Sequence, residues 1–447
     1  LLFIIDENNS SINEEGFIIR SNNKKQLEII AKTNKGLLFG CFEYIRCMQM
    51  QKDLNSLKIT SSPSLNIRIL NHWDNINRSV ERGYAGISIF NWHTLPDYID
   101  KRYIDYARAN ASIGINGTVI TNVNANALFL TNDYLRKAKA LADVFRAYGI
   151  KIYLTARFSA PIEIGGLHTA DPLNDTVRKW WANKVDEIYK LIPDFGGFVV
   201  KANSEGQPGP QDYQRTHADG ANMFADALAP YKGIIIWRAF VYSHETPEDR
   251  AKQAYSEFVP LDGKFKKNVL VQIKNGPIDF QPREPFHPLF GAMPNTPEMM
   301  EFQITQEYLG QATHLVYEGP MFKEILESKI NASQTVIDVL ENNNNELRGM
   351  SGVANIGNDI NWCGHPFAQA NWYAFGRLAW NPHFKASDLA NEWIVQTWSK
   401  EKPIVDTIQN IMIASYENMV RYMTPLGLHH IMGNGHHYGP MPWGNTL

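Results

Sequence analysis

The chain has 447 residues, 44% of them apolar, with 43 basic and 46 acidic side chains giving a net charge of −3. A chain of this length buries one large core and carries flanking subdomains, since single cores stop growing at roughly 250 to 300 residues. Its balanced charge lacks the basic surplus that a phosphate backbone calls for, and no apolar run approaches the roughly 18 to 20 residues of a membrane span, which sets nucleic acid and membrane aside and predicts a soluble globular protein.

Cys41, Cys47 and Cys363 are an odd number without a CxxC pair, so neither a disulfide framework nor a thiolate zinc site is indicated. The compartment, cytoplasm or periplasm, stays open. Leu1 to Ile5 reads as a strand and lacks the basic flank of a signal peptide. The chain starts without Met and stops at Asn445-Thr446-Leu447 without a helix end, which predicts further residues at both ends.

Residues 1–62 alternate strand-like pieces such as Gly16 to Arg20 with a helical stretch from Gly36 to Gln51, where Leu37, Leu38, Cys41, Phe42, Ile45 and Met48 fall at helical spacing. This predicts part of a small α/β domain, with a boundary near Ser61-Ser62-Pro63-Ser64. Eight short apolar runs follow: Ile67–Leu70, Gly117–Ile120, Ile150–Thr155, Gly197–Val200, Gly233–Trp237, Val269–Ile273, Met300–Ile304 and Gly352–Ile356. Helical patterns lie between them, such as Val177, Trp181, Val185, Ile188 and Ile192. Eight strand-then-helix units over residues 63–365 predict a (β/α)8 TIM barrel, and the lack of a GxGxxG after the first strand removes the main support for a dinucleotide fold. Residues 366–447 lose the strand pattern; Leu389, Trp393, Val395, Ile408, Ile411, Met412 and Tyr416 predict part of a C-terminal helical domain.

In such a barrel the residues at or just past each strand's C-terminal end share one cavity. The exits supply Asn71-His72-Trp73-Asp74-Asn75, then Thr121-Asn122, Arg157, Lys201 with Glu205, Trp237 with Arg238, Lys274 with Asp279, and Gln306 with Glu307. Each has an ordinary structural alternative: Asp74 or Arg157 in a rim ion pair, Trp237 in the core, a solvated loop Glu, cations that only neutralise acids. Three separate exits nonetheless deliver Glu205, Asp279 and Glu307 within loops holding Gly, Pro, Asn and Gln.

Paired carboxyls without metal-ligand spacing or an activated Ser or Cys point to glycoside hydrolysis, one acid protonating the leaving oxygen and another handling water or the anomeric carbon. Lys201, Arg238 and Lys274 on adjacent strands would then favour an anionic sugar, a uronic acid being the simplest. His436-His437 and His429-His430 are adjacent pairs that cannot share a helical face as HExxH ligands do, and they read as loop or cleft-wall packing. His72, His217 and His287 stand near strand ends or acid loops, placed to orient a sugar hydroxyl. A uronate-binding protein without catalysis and a retaining glycosidase acting on neutral or internal linkages are the competing classes.

Long runs in the chain resemble the family 67 glycoside hydrolases, the α-glucuronidases: Asn71 to Asn75 with Ser79 to Gly86, Lys201 to Pro210, Ile236 to Phe240, Gln272 to Pro285, and Gln369 to Tyr373 with Phe375 to Trp380. The resemblance covers most of the chain. It implies an inverting hydrolase that removes D-glucuronic or 4-O-methyl-D-glucuronic acid from the non-reducing-end xylose of xylooligosaccharides, at an α-1,2 link, with no cofactor. It implies Glu205 as general acid, Asp279 and Glu307 flanking the attacking water, and Trp73, Lys201, Arg238 and Lys274 binding the uronate. Family members also have a complete N-terminal domain and a longer C-terminal helical region, which implies a homodimer through the latter and leaves the role of Trp443 open.

Overall fold

The computed structural model describes residues 1–21, 26–242, 249–342, 344–428 and 431–444. A four-stranded sheet opens the chain: β1 (Leu2–Ile5), β2 (Phe17–Ser21), β3 (Leu27–Ala31) and β4 (Lys58–Ser61) in the order β1-β3-β2-β4. One helix, Asn34–Gln49, packs on it; Thr33 caps this helix by accepting from Gly36 N at 3.1 Å. The packed face is the anticipated apolar set only in part: Leu37 and Cys41 pack on the sheet-domain core and Phe42 on the barrel core. Ile45 and Met48 are exposed, and the helix meets the sheet through Gly36, Phe39, Gly40 and Cys47. A Cβ at position 40 would stand 2.6 Å from Ile29 Cγ2, so a stripe of glycines brings the helix close where larger residues would hold it off.

Eight parallel strands then close into a barrel: β5 (Ile67–Asn71), β6 (Gly117–Val119), β7 (Lys151–Thr155), β8 (Gly197–Val200), β9 (Ile234–Arg238), β10 (Val269–Lys274), β11 (Glu298–Gln303) and β12 (Gly349–Val353). Both faces of such strands are covered, inside by one another and outside by helices, which is why they read as continuous apolar runs rather than alternating ones. Each of the eight expected runs overlaps a strand, the last only at Gly352 and Val353, so the protein is a (β/α)8 barrel with a small N-terminal sheet domain and a C-terminal helical region. Gly197 has φ 135°, and a Cβ there would lie 1.9 Å from the Ile234 carbonyl oxygen.

Two strands begin earlier than expected. β11 starts at Glu298 because that acid is accommodated, accepting from Gly291 N at 3.0 Å; further along the strand Glu301 pairs with Arg238 inside the barrel. β12 starts at Gly349 and ends at Val353, and a Cβ at Gly352 would meet Ile304 Cδ1 at 2.5 Å, so close packing excludes anything larger there.

Helices fill the crossovers, for example Asp175–Leu191, whose Val177, Trp181, Val185 and Ile188 are fully buried. The connection from β10 to β11 is the exception and carries no helix. Pro277, Pro282, Pro285, Pro288, Pro294 and Pro297 fall within or at the end of it, each lacking an N–H and restricting the residue before it. After β12 the helix Gln369–Trp380 is buried along its length, and helices Ala386–Thr397 and Lys402–Met423 stack beyond it. They bury Leu389, Trp393, Met412 and Tyr416 but leave Ile411 exposed. Among the described residues no helix is long and apolar enough to cross a membrane.

The N-terminal sheet domain is tied to the barrel floor by charge. Arg68, fully buried near the start of β5, donates to the Leu65 and Gly114 carbonyls at 2.6 Å each and pairs with Glu15. Lys35 also meets Glu15, at 2.6 Å. Burial pushes the Glu15 carboxyl up, but Arg68 and Lys35 outweigh it and hold the group down at about 2.

Candidate active site

β8, β9 and β10 are neighbours in the barrel, so Lys201 just past β8, Arg238 ending β9 and Lys274 ending β10 stand side by side at its C-terminal mouth. All three are buried and each has an acid. Lys201 Nζ pairs with Glu205 Oε2 and donates to Asn124 Oδ1 at 2.8 Å. Lys274 Nζ pairs with Asp279 Oδ1 and sits 3.3 Å from the Phe240 ring centroid and 4.4 Å from that of Phe280, an ammonium wedged between two π faces. Arg238 Nη2 lies 2.8 and 3.1 Å from the two oxygens of Glu301. Strand alternation explains the pair Trp237-Arg238: the arginine points inward, whereas the tryptophan points outward and donates to His217 Nδ1 at 3.3 Å.

Glu205 is carried by a turn in which Asn203 and Glu205 both have φ 49°, a conformation that costs a non-glycine residue on the order of 1–3 kcal/mol. The surroundings fix it. Glu205 N donates to the Tyr242 carbonyl at 2.9 Å, and Asn203 accepts from Gln211 N at 3.0 Å while donating to Asp212 at 2.8 Å. The Glu205 side chain is 43% exposed, so its carboxyl reaches the cleft from a rigid base. Burial raises this carboxyl, but the Lys201 ammonium, with help from Lys274, holds it below its ordinary value. Lys201 itself is pulled down by burial and by Arg238 and Lys274, with Glu205 opposing.

Asp279 stands on the proline-rich connection, and Glu284 braces that loop by accepting from Ile278 N, from Asp279 N at 3.1 Å and from Gln281 N at 2.6 Å. Its Oδ2 accepts from Tyr308 OH at 3.1 Å; burial and the charges of Asp279 and Glu307 raise that phenol far above its usual range, so it remains a donor. Glu307 is almost fully buried. It accepts from Gln303 Nε2 at 2.6 Å and faces Arg82 Nε at 3.0 Å and His437 Nδ1 at 2.9 Å.

One cavity is lined by Trp73, Lys201, Glu205, Arg238, Lys274, Asp279 and Glu307, all seven sequence candidates, together with Glu81, Arg82, Val123, Asn124, Phe240 and Tyr308. Other strand-exit candidates lie elsewhere. Arg157 pairs with Glu163 on the rim, as its structural alternative anticipated, and Gln306 Nε2 serves the loop carbonyls of Gln311 and His314 at 3.1 and 2.9 Å. Among the described residues Asp74 pairs with no cation; it is fully buried against Ser88, and burial pushes its carboxyl up to about 7.

The three histidines placed to orient a sugar do not reach the cavity. His72 is fully buried between the Val119 carbonyl and Tyr106 OH, at 2.9 and 2.8 Å, and His217 pairs with Glu257 at 3.0 Å. His287 is buried and meets Leu289 N at 3.1 Å. Conversely, His437, expected to be wall packing, contacts a candidate catalytic acid; His429 and His430 lie outside the described residues.

Several contributors escaped sequence reasoning. Asn124 Nδ2 donates to both Glu81 oxygens, at 3.2 and 3.0 Å, which turns its Oδ1 toward Lys201. Glu81, Arg82 and Glu284 sit inside the long family-like runs, and membership of those runs was their signal; Tyr308 was marked only by its place next to Glu307. Glu301 and His437 had none.

A (β/α)8 barrel whose mouth gathers carboxyls over buried cations is an architecture on which glycoside hydrolases are built. The glycosyl hydrolase family 67 models match the chain in three parts, the N-terminus over residues 4–44, the middle domain over 47–362 and the C-terminus over 363–446. The chain belongs to glycosyl hydrolase family 67. A probable alpha-glucuronidase A of Aspergillus clavatus is 42% identical over 443 residues, which is 96% of this chain and 52% of that protein. An alpha-glucuronidase of Hypocrea jecorina is 42% identical over 448 residues, 97% of this chain and 53% of that protein. The chain therefore spans about half the length of the curated relatives it matches. Among solved structures, a family GH115 4-O-methyl-alpha-glucuronidase with specificity for decorated arabinogalactans superposes with TM-score 0.58 at 12% identity, covering 92% of this chain and 54% of that one. A GH138 enzyme targeting pectin rhamnogalacturonan II gives TM-score 0.59 at 14% identity, covering 94% and 50%. At these identities the likeness is one of fold.

Proposed function

We propose that the protein hydrolyses the α-1,2 bond between D-glucuronic or 4-O-methyl-D-glucuronic acid and the non-reducing-end xylose of xylooligosaccharides, with inversion. The observation that carries this reading is the single cavity in which Glu205, Asp279 and Glu307 meet above Lys201, Arg238 and Lys274. Protonated Glu205 gives its proton to the glycosidic oxygen as the C1–O bond breaks. A water attacks C1 from the opposite face and yields its proton to Asp279 or Glu307, so the acid ends ionised and the base protonated. The basic trio holds the uronate by charge-assisted hydrogen bonds and fixes the ring relative to the acids.

The same trio offers an answer to how Glu205 carries a proton. In the free protein Lys201 favours its ionised form. A substrate carboxylate drawn to Lys201 competes for that ammonium, which relieves the pull on Glu205 and lets it bind the proton that it must donate.

The test is to incubate the protein with aldotriouronic acid, follow released uronate, and identify the first-formed anomer by proton NMR. The β-anomer should appear first. The α-anomer would mean retention, and binding without release would leave a uronate receptor. Glu205→Gln should lower turnover by roughly 10²- to 10⁴-fold while substrate still binds; unchanged turnover would remove Glu205 from the acid's role.

A further inference from the structure

Residues 431–441 lie against the loops at the barrel mouth. Arg82 Nη1 donates to the Gly435 carbonyl at 3.0 Å, Gln311 Nε2 donates to the His436 carbonyl at 2.6 Å, and the His437 ring stacks on Tyr308 with centroids 4.8 Å apart and planes at 22°. This brings His437 Nδ1 within 2.9 Å of Glu307 Oε1. An ionised carboxylate can only accept, so the proton of that contact belongs to Nδ1. Arg82 meets the same oxygen at 3.0 Å, but its side chain is 36% exposed against 13% for His437, so water screens the arginine more than the histidine.

We propose that His437 is a positioning residue for the water side of the reaction: its Nδ1–H aims the Glu307 carboxylate without touching the substrate. This rests on the hydrolase reading above. The charged and titratable groups facing the contact are Arg82 at Glu307 Oε1, Tyr308 beneath the ring, Asp279 through the Tyr308 hydroxyl at 3.1 Å, and His436 and Tyr438 in the same segment. Arg82 is the only permanent cation of that set, and Gln303 Nε2 holds the second Glu307 oxygen at 2.6 Å. Loss of the His437 donor therefore leaves Oε1 to a partly hydrated guanidinium.

The backbone supplies a discriminating variant. His437 has φ 62°, a left-handed conformation that asparagine tolerates better than most residues, and an asparagine amide carries an N–H near the place of Nδ1. The experiment measures kcat and KM for wild type, His437→Ala and His437→Asn, on aldotriouronic acid and on α-D-glucuronyl fluoride, whose leaving group needs no proton from Glu205. His437→Ala should lower kcat on both substrates by roughly ten- to a hundredfold, the worth of one hydrogen bond to a charged group, with KM little changed. His437→Asn should recover most of that loss in kcat. Equal losses in the two variants would reduce His437 to packing and overturn the proposal, as would a change in KM alone or no change at all. Wild type silent on both substrates would refute the hydrolase reading, and the proposal with it.

Discussion

Glu301→Gln isolates the ion pair inside the barrel. Glutamine keeps the shape at position 301 but leaves the Arg238 guanidinium, whose side chain is 2% exposed, without the counter-charge it meets at 2.8 and 3.1 Å. Stranding one member of a buried pair costs about 3–5 kcal/mol, most of it the desolvation of the charge left behind. A 447-residue chain has an unfolding entropy of about 0.9 kcal/mol per kelvin, so the melting temperature should fall by about 3–5 °C. The double variant Arg238→Met/Glu301→Met removes both charges and should melt above Glu301→Gln, although it differs from wild type at two core positions. Thermal unfolding at pH 7, followed by circular dichroism and calorimetry, reads all three proteins. Glu301→Gln melting with wild type, or the double variant melting below the single, would refute the reasoning that the pair is held by mutual charge compensation.

Lys201→Met should move the basic limb of kcat/KM to higher pH. Lys201 holds the Glu205 carboxyl below its ordinary value, the acid must be protonated to act, and activity is therefore lost as pH rises through that low value; without the lysine the loss comes later. A basic limb that stays put or moves down in the pH–rate profile would contradict this. Gly197→Ala should fail to give soluble barrel, because its Cβ would meet the Ile234 carbonyl at 1.9 Å, whereas Gly166→Ala, at φ 67° with nothing within 4 Å, should cost only about 1–2 kcal/mol and fold; soluble yield and circular dichroism separate the two.

The fold was legible because parallel barrel strands are buried on both faces and so announce themselves as short apolar runs. β11 begins two residues before its expected run, at Glu298, an acid whose acceptance from Gly291 N inside the fold no local pattern announces. The basic trio was readable from one rule, that strand ends share a mouth, and adjacency of β8, β9 and β10 did the rest. That rule says nothing of which way a side chain turns, so Trp237 and His217 came out on the wrong side of the wall. The contact of His437 with Glu307 spans 130 positions and arises only when a segment after the last helix returns to the mouth, a closure that no local pattern encodes.

The bond between Glu15 and Arg68 bears on how such chains recombine. Arg68 belongs to the first barrel strand and Glu15 to the sheet domain before it, so a cut between the two would leave a guanidinium sealed in the barrel floor with nothing to neutralise it. Chimeras between relatives should exchange these two positions as a unit. The small sheet is in this sense a stopper rather than a removable module, inherited together with the barrel it closes.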